Sequence, residues 1–142
     1  MKLEDLILDV EQHIDVKGEP EKVFATVIHR LGKGNSNLEG ESLQLELEPR
    51  PGGRWYRDRG NGIGHLWGFV QVIKPPTLLE LSGPMFMSYP ATNHVEVKVE
   101  KNSGGCRVLI RHRAIGTIDP EHRKNVGKGW RHMLMIMKQD CE

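Results

Sequence analysis

The sequence predicts an α+β fold in which a curved, seven-stranded antiparallel sheet wraps a long C-terminal helix. Three observations carry this reading. Short segments of alternating apolar residues, separated by turn chemistry, fill the middle of the chain. One short amphipathic helix precedes them. The last twenty-odd residues place Trp130, Met133, Leu134, Met137 and Cys141 at i, i+3, i+4, i+7 and i+11, an apolar stripe that needs a dry partner surface. At 142 residues the chain fits a single domain, 1–142.

The elements follow in order. Glu11 to Val16 forms a first strand with Ile14 and Val16 alternating against polar neighbours, and Gly18 ends it. Pro20 suits the first turn of a helix, and Val23, Phe24, Val27, Ile28 and Leu31 continue at helical spacing. Gly32 to Gly40 is the most turn-rich stretch and reads as a loop. Leu43, Leu45 and Leu47 alternate in a strand, and Pro51-Gly52-Gly53 turns the chain into a second extended run, Arg54 to Asp58. After the Gly60-Asn61-Gly62 turn, Ile63 to Ile73 is long enough for a central strand, ended by Pro75-Pro76. Thr77 to Ser82 is short. Val95, Val97 and Val99 alternate in the next strand, and Asn102-Ser103-Gly104-Gly105 turns into Cys106 to Ala114. Asp119-Pro120-Glu121 then supplies a cap, a first-turn proline and an acid at the positive end of the last helix.

Composition narrows the function classes. Apolar residues at 37% and charged ones at 27% suit a folded globular domain. The longest apolar runs fall well short of the ~20 residues that cross a bilayer, so no membrane span is expected. Acidic residues interrupt the first ten positions, unlike a secretory signal, which points to the cytoplasm. Cys106 and Cys141 are too far apart in sequence for a disulfide framework or a zinc site and read as buried thiols. Net charge is +1, with residues 1–48 at −6 and residues 49–142 at +7. The basic half lacks a helix-turn-helix, zinc-finger or RNP pattern, so a nucleic-acid partner is not expected.

Several motifs carry a further resemblance: Glu19-Pro20-Glu21-Lys22-Val23-Phe24 opening the first helix, Pro51-Gly52-Gly53-Arg54-Trp55, Gly68-Phe69-Val70 running on to Pro75-Pro76, Arg107 to His112 as the last strand, and Gly129-Trp130 in the final helix. In this order and spacing they resemble the START-like (SRPBCC) superfamily, in the branch related to the activator of Hsp90 ATPase and grouped with polyketide cyclases. The resemblance implies a helix-grip fold with a mainly apolar pocket between sheet and helix. Similar proteins carry a tryptophan in the segment after the first helix. Here Gly32 to Gly40 has no aromatic residue, so a different pocket mouth is expected.

The leading expectation is a module that binds a small hydrophobic or amphipathic molecule between the sheet and the C-terminal helix, with Trp55, Phe69, Val97, Ile110, His112, Trp130, Met133 and Met137 at the ligand. Strand parity puts His112 on the inner face with Val108 and Ile110, where an imidazole either satisfies a buried hydrogen bond or acts as acid or base in a cyclase- or hydrolase-type reaction. No metal and no cofactor are expected, because His122 and His132 are ten apart and His65 and His94 lie on separate strands. Arg50, Arg54, Arg57 and Arg59 flank Trp55 and Tyr56 and read as a solvated edge. A third expectation is a homodimer: regular alternation would set Trp67, Phe69 and Ile73 together on one sheet face, either as an interface or beneath the loop from Pro84 to Pro90.

Overall fold

The computed structural model describes residues 2–85 and 88–142. A short 3-10 turn at Leu3–Leu6 leads into β1 (Ile7–Val16), followed by α1 (Pro20–Leu31), β2 (Leu45–Leu47), β3 (Arg54–Asp58), β4 (Gly64–Lys74), β5 (Leu78–Gly83), β6 (Ala91–Asn102), β7 (Gly105–Gly116) and α2 (Pro120–Cys141). The seven strands form one antiparallel sheet in the order β1-β7-β6-β5-β4-β3-β2. Strands β2 to β7 are hairpin neighbours, and only β1 crosses over to pair with β7. β1 begins four residues earlier than the sequence indicates, because Ile7 to Val10 pair with Ile115 to His112 despite their mixed polarity.

One face of the sheet is dry. Val95, Val97 and Val99 of β6, Val108, Ile110 and His112 of β7, and Leu79 and Leu81 of β5 are all buried on it. Their neighbours in sequence pair outside: Arg107 with Asp15 and Arg111 with Asp9, both across the β1–β7 ladder. α2 lies on the dry face with Val126, Trp130, Met133, Leu134, Met137 and Cys141 buried. Its start is held by the Asp119 carboxylate accepting from the Glu121 N–H at 2.8 Å, with Pro120 in the first turn. Gln12 of β1 donates to the Gly127 carbonyl at 2.7 Å, and Arg30 of α1 forms a two-pronged ion pair with Asp140, so both halves of α2 are tied to other elements.

β4 departs from simple alternation twice. Trp55 is opposite Gly68 while Tyr56 is opposite Leu66, which leaves Trp67 as an extra residue. Val70 is opposite Leu81 while Val72 is opposite Glu80, which leaves Gln71 unpaired. Each bulge inverts the parity of the strand. Trp67, Val70 and Ile73 therefore turn inward, whereas Leu66 and Phe69 are exposed. The expected face shared by Trp67, Phe69 and Ile73 does not exist, and the tryptophan offered as an interface residue belongs to the core. Phe86 and Met87 of the loop expected to cover that face lie outside the described residues. Of that loop, Met85 is buried and donates its N–H to the Trp67 carbonyl at 2.7 Å.

Gly68 is what allows β4 to bulge beside β5. A Cβ at this position would lie 2.4 Å from the Ser82 carbonyl oxygen, and one at Gly83 would lie 2.4 Å from the Gly68 Cα. Both obstacles are backbone, so neither can swing away. Gly68→Ala is expected to cost about 2 kcal/mol by prising the strands apart, in the range of other overpacked sites. Urea denaturation measures it, and an unchanged midpoint would show that the two strands separate without cost.

Candidate ligand-binding site

Between β3, β4 and the N-terminal half of α2 lies a cavity of about 350 Å³. Its apolar wall is made by Trp55 of β3, Trp67 of β4, Met85 beyond β5, and Val126, Trp130 and Met133 of α2. All three tryptophans of the chain are thus on it. Trp55 and Trp67 meet edge to face with centroids 5.1 Å apart. The Trp55 indole N–H donates to the Leu31 carbonyl at 2.8 Å, which ties the wall to the end of α1. The segment after α1 supplies the opposite side through Asn35, Ser36, Asn37, Leu38 and Leu43. Leu38, Asn125 and Gly129 are exposed, so the cavity meets solvent between this segment and α2. The mouth is built of amides and one leucine rather than an aromatic, in line with the composition of Gly32 to Gly40.

Arg57, His122 and His132 add polar lining. Arg57 follows Trp55 at the spacing that keeps a strand residue on the same face, so it points inward and not, as its basic neighbourhood suggests, along a solvated edge. Arg54, one residue off that parity, does lie outside, over the Tyr56 ring at 4.4 Å and paired with Glu48 at 3.0 Å. His122 is met by the Tyr89 hydroxyl at 2.5 Å, their rings stacked with centroids 5.5 Å apart. Burial raises the Tyr89 hydroxyl above its ordinary pKa, so it remains a neutral phenol there.

Behind the wall, His112 is fully buried and takes part in a directional chain of hydrogen bonds. The Trp130 indole N–H can only donate, and it donates to His112 Nδ1 at 3.1 Å. The imidazole proton is therefore on Nε2, which donates to Asn93 Oδ1 at 2.6 Å. The Asn93 amide in turn donates to the carbonyls of Gly83 and Pro84, both at 3.2 Å, so its orientation is fixed too. Burial lowers the His112 pKa to about 4, and the ring is neutral at physiological pH. With both nitrogens engaged and the ring absent from the cavity lining, His112 orients Trp130 and holds no proton for a molecule in the cavity.

Of the residues expected at a ligand, Trp55, Trp130 and Met133 line this cavity. Val97, Ile110 and Met137 are buried but lie outside its lining, further along the same core. Phe69 does not belong with them: the bulge at Trp67 turns it to the outer face, 44% exposed. Met85, Arg57 and His122 were not anticipated there, whereas Trp67 is one of the aromatics that the sequence offers for a pocket wall.

A curved antiparallel sheet closed on a long C-terminal helix, with an aromatic-walled cavity between them, defines a helix-grip pocket domain. The chain belongs to the family of activator of Hsp90 ATPase homolog 1-like proteins, whose sequence pattern matches residues 19–142. No functionally curated protein matches it. Among solved structures it resembles a protein from Mesorhizobium loti (TM-score 0.69, 14% identity, 92% of this chain and 94% of that one) and one from Chromobacterium violaceum (0.68, 17%, 95% and 98%). It also resembles the di-domain ARO/CYC StfQ from the steffimycin biosynthetic pathway (0.69, 15%), where it covers 98% of this chain and 52% of that one. At these identities the likeness is one of fold. Among the described residues, no helix is long and apolar enough to cross a membrane.

Proposed function

We propose that this protein binds a small apolar or amphipathic molecule in the cavity between β3, β4 and α2. The observation that carries the reading is the wall itself: three tryptophans, two methionines and a valine around about 350 Å³, with polar groups at the rim. That size falls at the lower end of small-molecule sites, about 300–1,000 Å³, which combine apolar walls with a few polar groups that fix orientation. The buried, free thiols of Cys106 and Cys141 suit a reducing compartment such as the cytoplasm.

Gly129 offers a direct test. It lines the cavity from within α2, and a Cβ built there meets nothing within 4 Å. Gly129→Leu should therefore extend a side chain into the mouth without a clash, while gaining the better helix propensity of leucine, about 0.5–1 kcal/mol. A library of apolar and amphipathic compounds is screened by thermal shift and native mass spectrometry. The expected result is that hits stabilise the wild type, by about 2.7 kcal/mol at a hundredfold excess over Kd, and bind the more stable Gly129→Leu variant at least tenfold more weakly. Hits that bind both proteins equally would place the ligand elsewhere, and a library without hits would refute the reading.

A further inference from the structure

We infer that the molecule held in this cavity carries an anionic head, a carboxylate or its equivalent, received by Arg57 with His132 beside the same space. The inference rests on the binding reading above and adds the polarity of the ligand to it. Its basis is a contrast with the other arginines, most of which have partners, while Arg59 and Arg113, which have no side-chain hydrogen bond or ion pair among the described residues, are exposed to water. Arg30 is paired with Asp140, Arg54 with Glu48, Arg107 with Asp15 and Arg111 with Asp9. Arg123 donates to the carbonyls of Glu4, Asp5 and Ile7. Arg57 is half-buried, and its guanidinium has no hydrogen bond or ion pair among the described residues. Its Nε is shut off from solvent and has no acceptor. An enclosed donor on a charged group without an acceptor is costly, because charged donors lose the most when a hydrogen bond goes unmade.

The rest of the polar lining can also donate hydrogen bonds. His132 is half-buried, its Nε2 is enclosed with no partner among the described residues, and it too lines the cavity. The other polar side chains there, His122, Ser36 and the amides of Asn35, Asn37 and Asn125, can all donate, and no described lining residue is an aspartate or glutamate. An arginine fork in an apolar cleft without a carboxylate of its own is suited to a planar anion, which it can engage through two parallel N–H bonds. The tryptophan wall takes the apolar body of the same molecule.

The test uses two pairs of probes that differ only in the head: 1-naphthylacetate against 1-naphthylacetamide, and decanoate against decanol, with affinities from calorimetry and quenching of tryptophan emission. The wild type should bind each acid about tenfold or more tightly than its neutral partner, the scale of one charge-assisted hydrogen bond. Arg57→Gln should abolish that preference by weakening the acids about tenfold while leaving the neutral probes within twofold. Arg57→Lys, which keeps the charge, should retain part of the preference and guards against a folding defect in the glutamine variant. His132→Gln should weaken the acids by a smaller factor. If acids and neutral probes bind the wild type alike, or Arg57→Gln weakens both equally, the anionic head is overturned while the pocket reading stands. If no probe of either pair binds, both fall together.

Discussion

His112→Ala is expected to lower folding stability by about 4 kcal/mol, one of the two largest effects predicted for this chain. The substitution leaves the Trp130 indole N–H buried without its acceptor, at about 1–3 kcal/mol, removes one donor from the Asn93 carbonyl oxygen, and opens a void where a fully enclosed ring had been. The same residue dictates a pH dependence. In the unfolded chain its pKa is near the ordinary 6.5, whereas burial lowers it to about 4 in the fold. Between those values the unfolded state binds more protons than the folded one. Stability therefore falls as pH drops from about 6.5 to 4, by about 3 kcal/mol in all, and is flat above. The ion-paired carboxylates act in a different window. Side-chain hydrogen bonds from Arg111 and Arg107 hold Asp9 and Asp15 below the usual 3.8, and Arg54 lowers Glu48 from 4.5 to about 2. Their contribution is complete above the ordinary carboxylate range and is lost only as pH falls further. Urea denaturation from pH 7.5 to 3.5 separates the two: the wild type should lose stability from about pH 6.5 downward, and His112→Gln, which does not titrate, should stay flat until the carboxylates begin to protonate. A wild-type profile flat down to pH 4.5 would mean that the ring is protonated within the fold and that the Trp130-His112-Asn93 chain is not as drawn.

How much of this was legible in the sequence depends on whether local rules or long-range closure place a residue. The order of elements follows from periodicity, and so does the inner face of β6 and β7, where Val95, Val97, Val99, Val108, Ile110 and His112 alternate without interruption. The stripe from Trp130 to Cys141 gives the buried face of α2 for the same reason. Alternation fails in β4, where two bulges invert parity and move Trp67 to the core and Phe69 to the outside. Gly68 inside an otherwise strand-like run was the available signal, since a glycine there marks a bulge or a close backbone approach. At the cavity, periodicity assigns a face but no depth along it. Trp130, Met133 and Met137 share one stripe of α2, yet only the first two reach the cavity. Arg57 was within reach of the parity argument that places Trp55, but the surrounding arginines suggested a solvated edge. Met85 and His122 come from two distant segments that only the closed fold brings together, and no local pattern announces them, whereas the segment holding Asn35 to Leu38 was expected at the mouth from the resemblance alone.

The second large effect is expected at Trp55. It is 1% exposed, forms part of the cavity wall, meets Trp67 edge to face and donates its indole N–H to the Leu31 carbonyl. Leu31 is the last residue of α1, where carbonyls have no partner within the helix, so the indole satisfies an acceptor that burial would otherwise leave bare. Trp55→Ala removes the packing, the ring contact and that hydrogen bond together, and should cost about 4 kcal/mol, within the usual range for deleting a buried aromatic. Trp55→Phe keeps a ring against Trp67 but abandons the Leu31 carbonyl, and should cost about 2 kcal/mol. The ordering distinguishes a wall that is merely filled from one that also anchors α1. Under the anchoring arrangement, hydrogen exchange at the C-terminal turn of α1 should accelerate in Trp55→Phe relative to the rest of the helix, because the carbonyl that holds that turn against β3 has lost its donor. A phenylalanine variant as stable as the wild type, with unchanged exchange at Leu31 and Gly32, would reduce Trp55 to packing alone. It would also leave the position of α1 relative to the cavity to be set by the contacts of Val23, Phe24 and Val27 in the core.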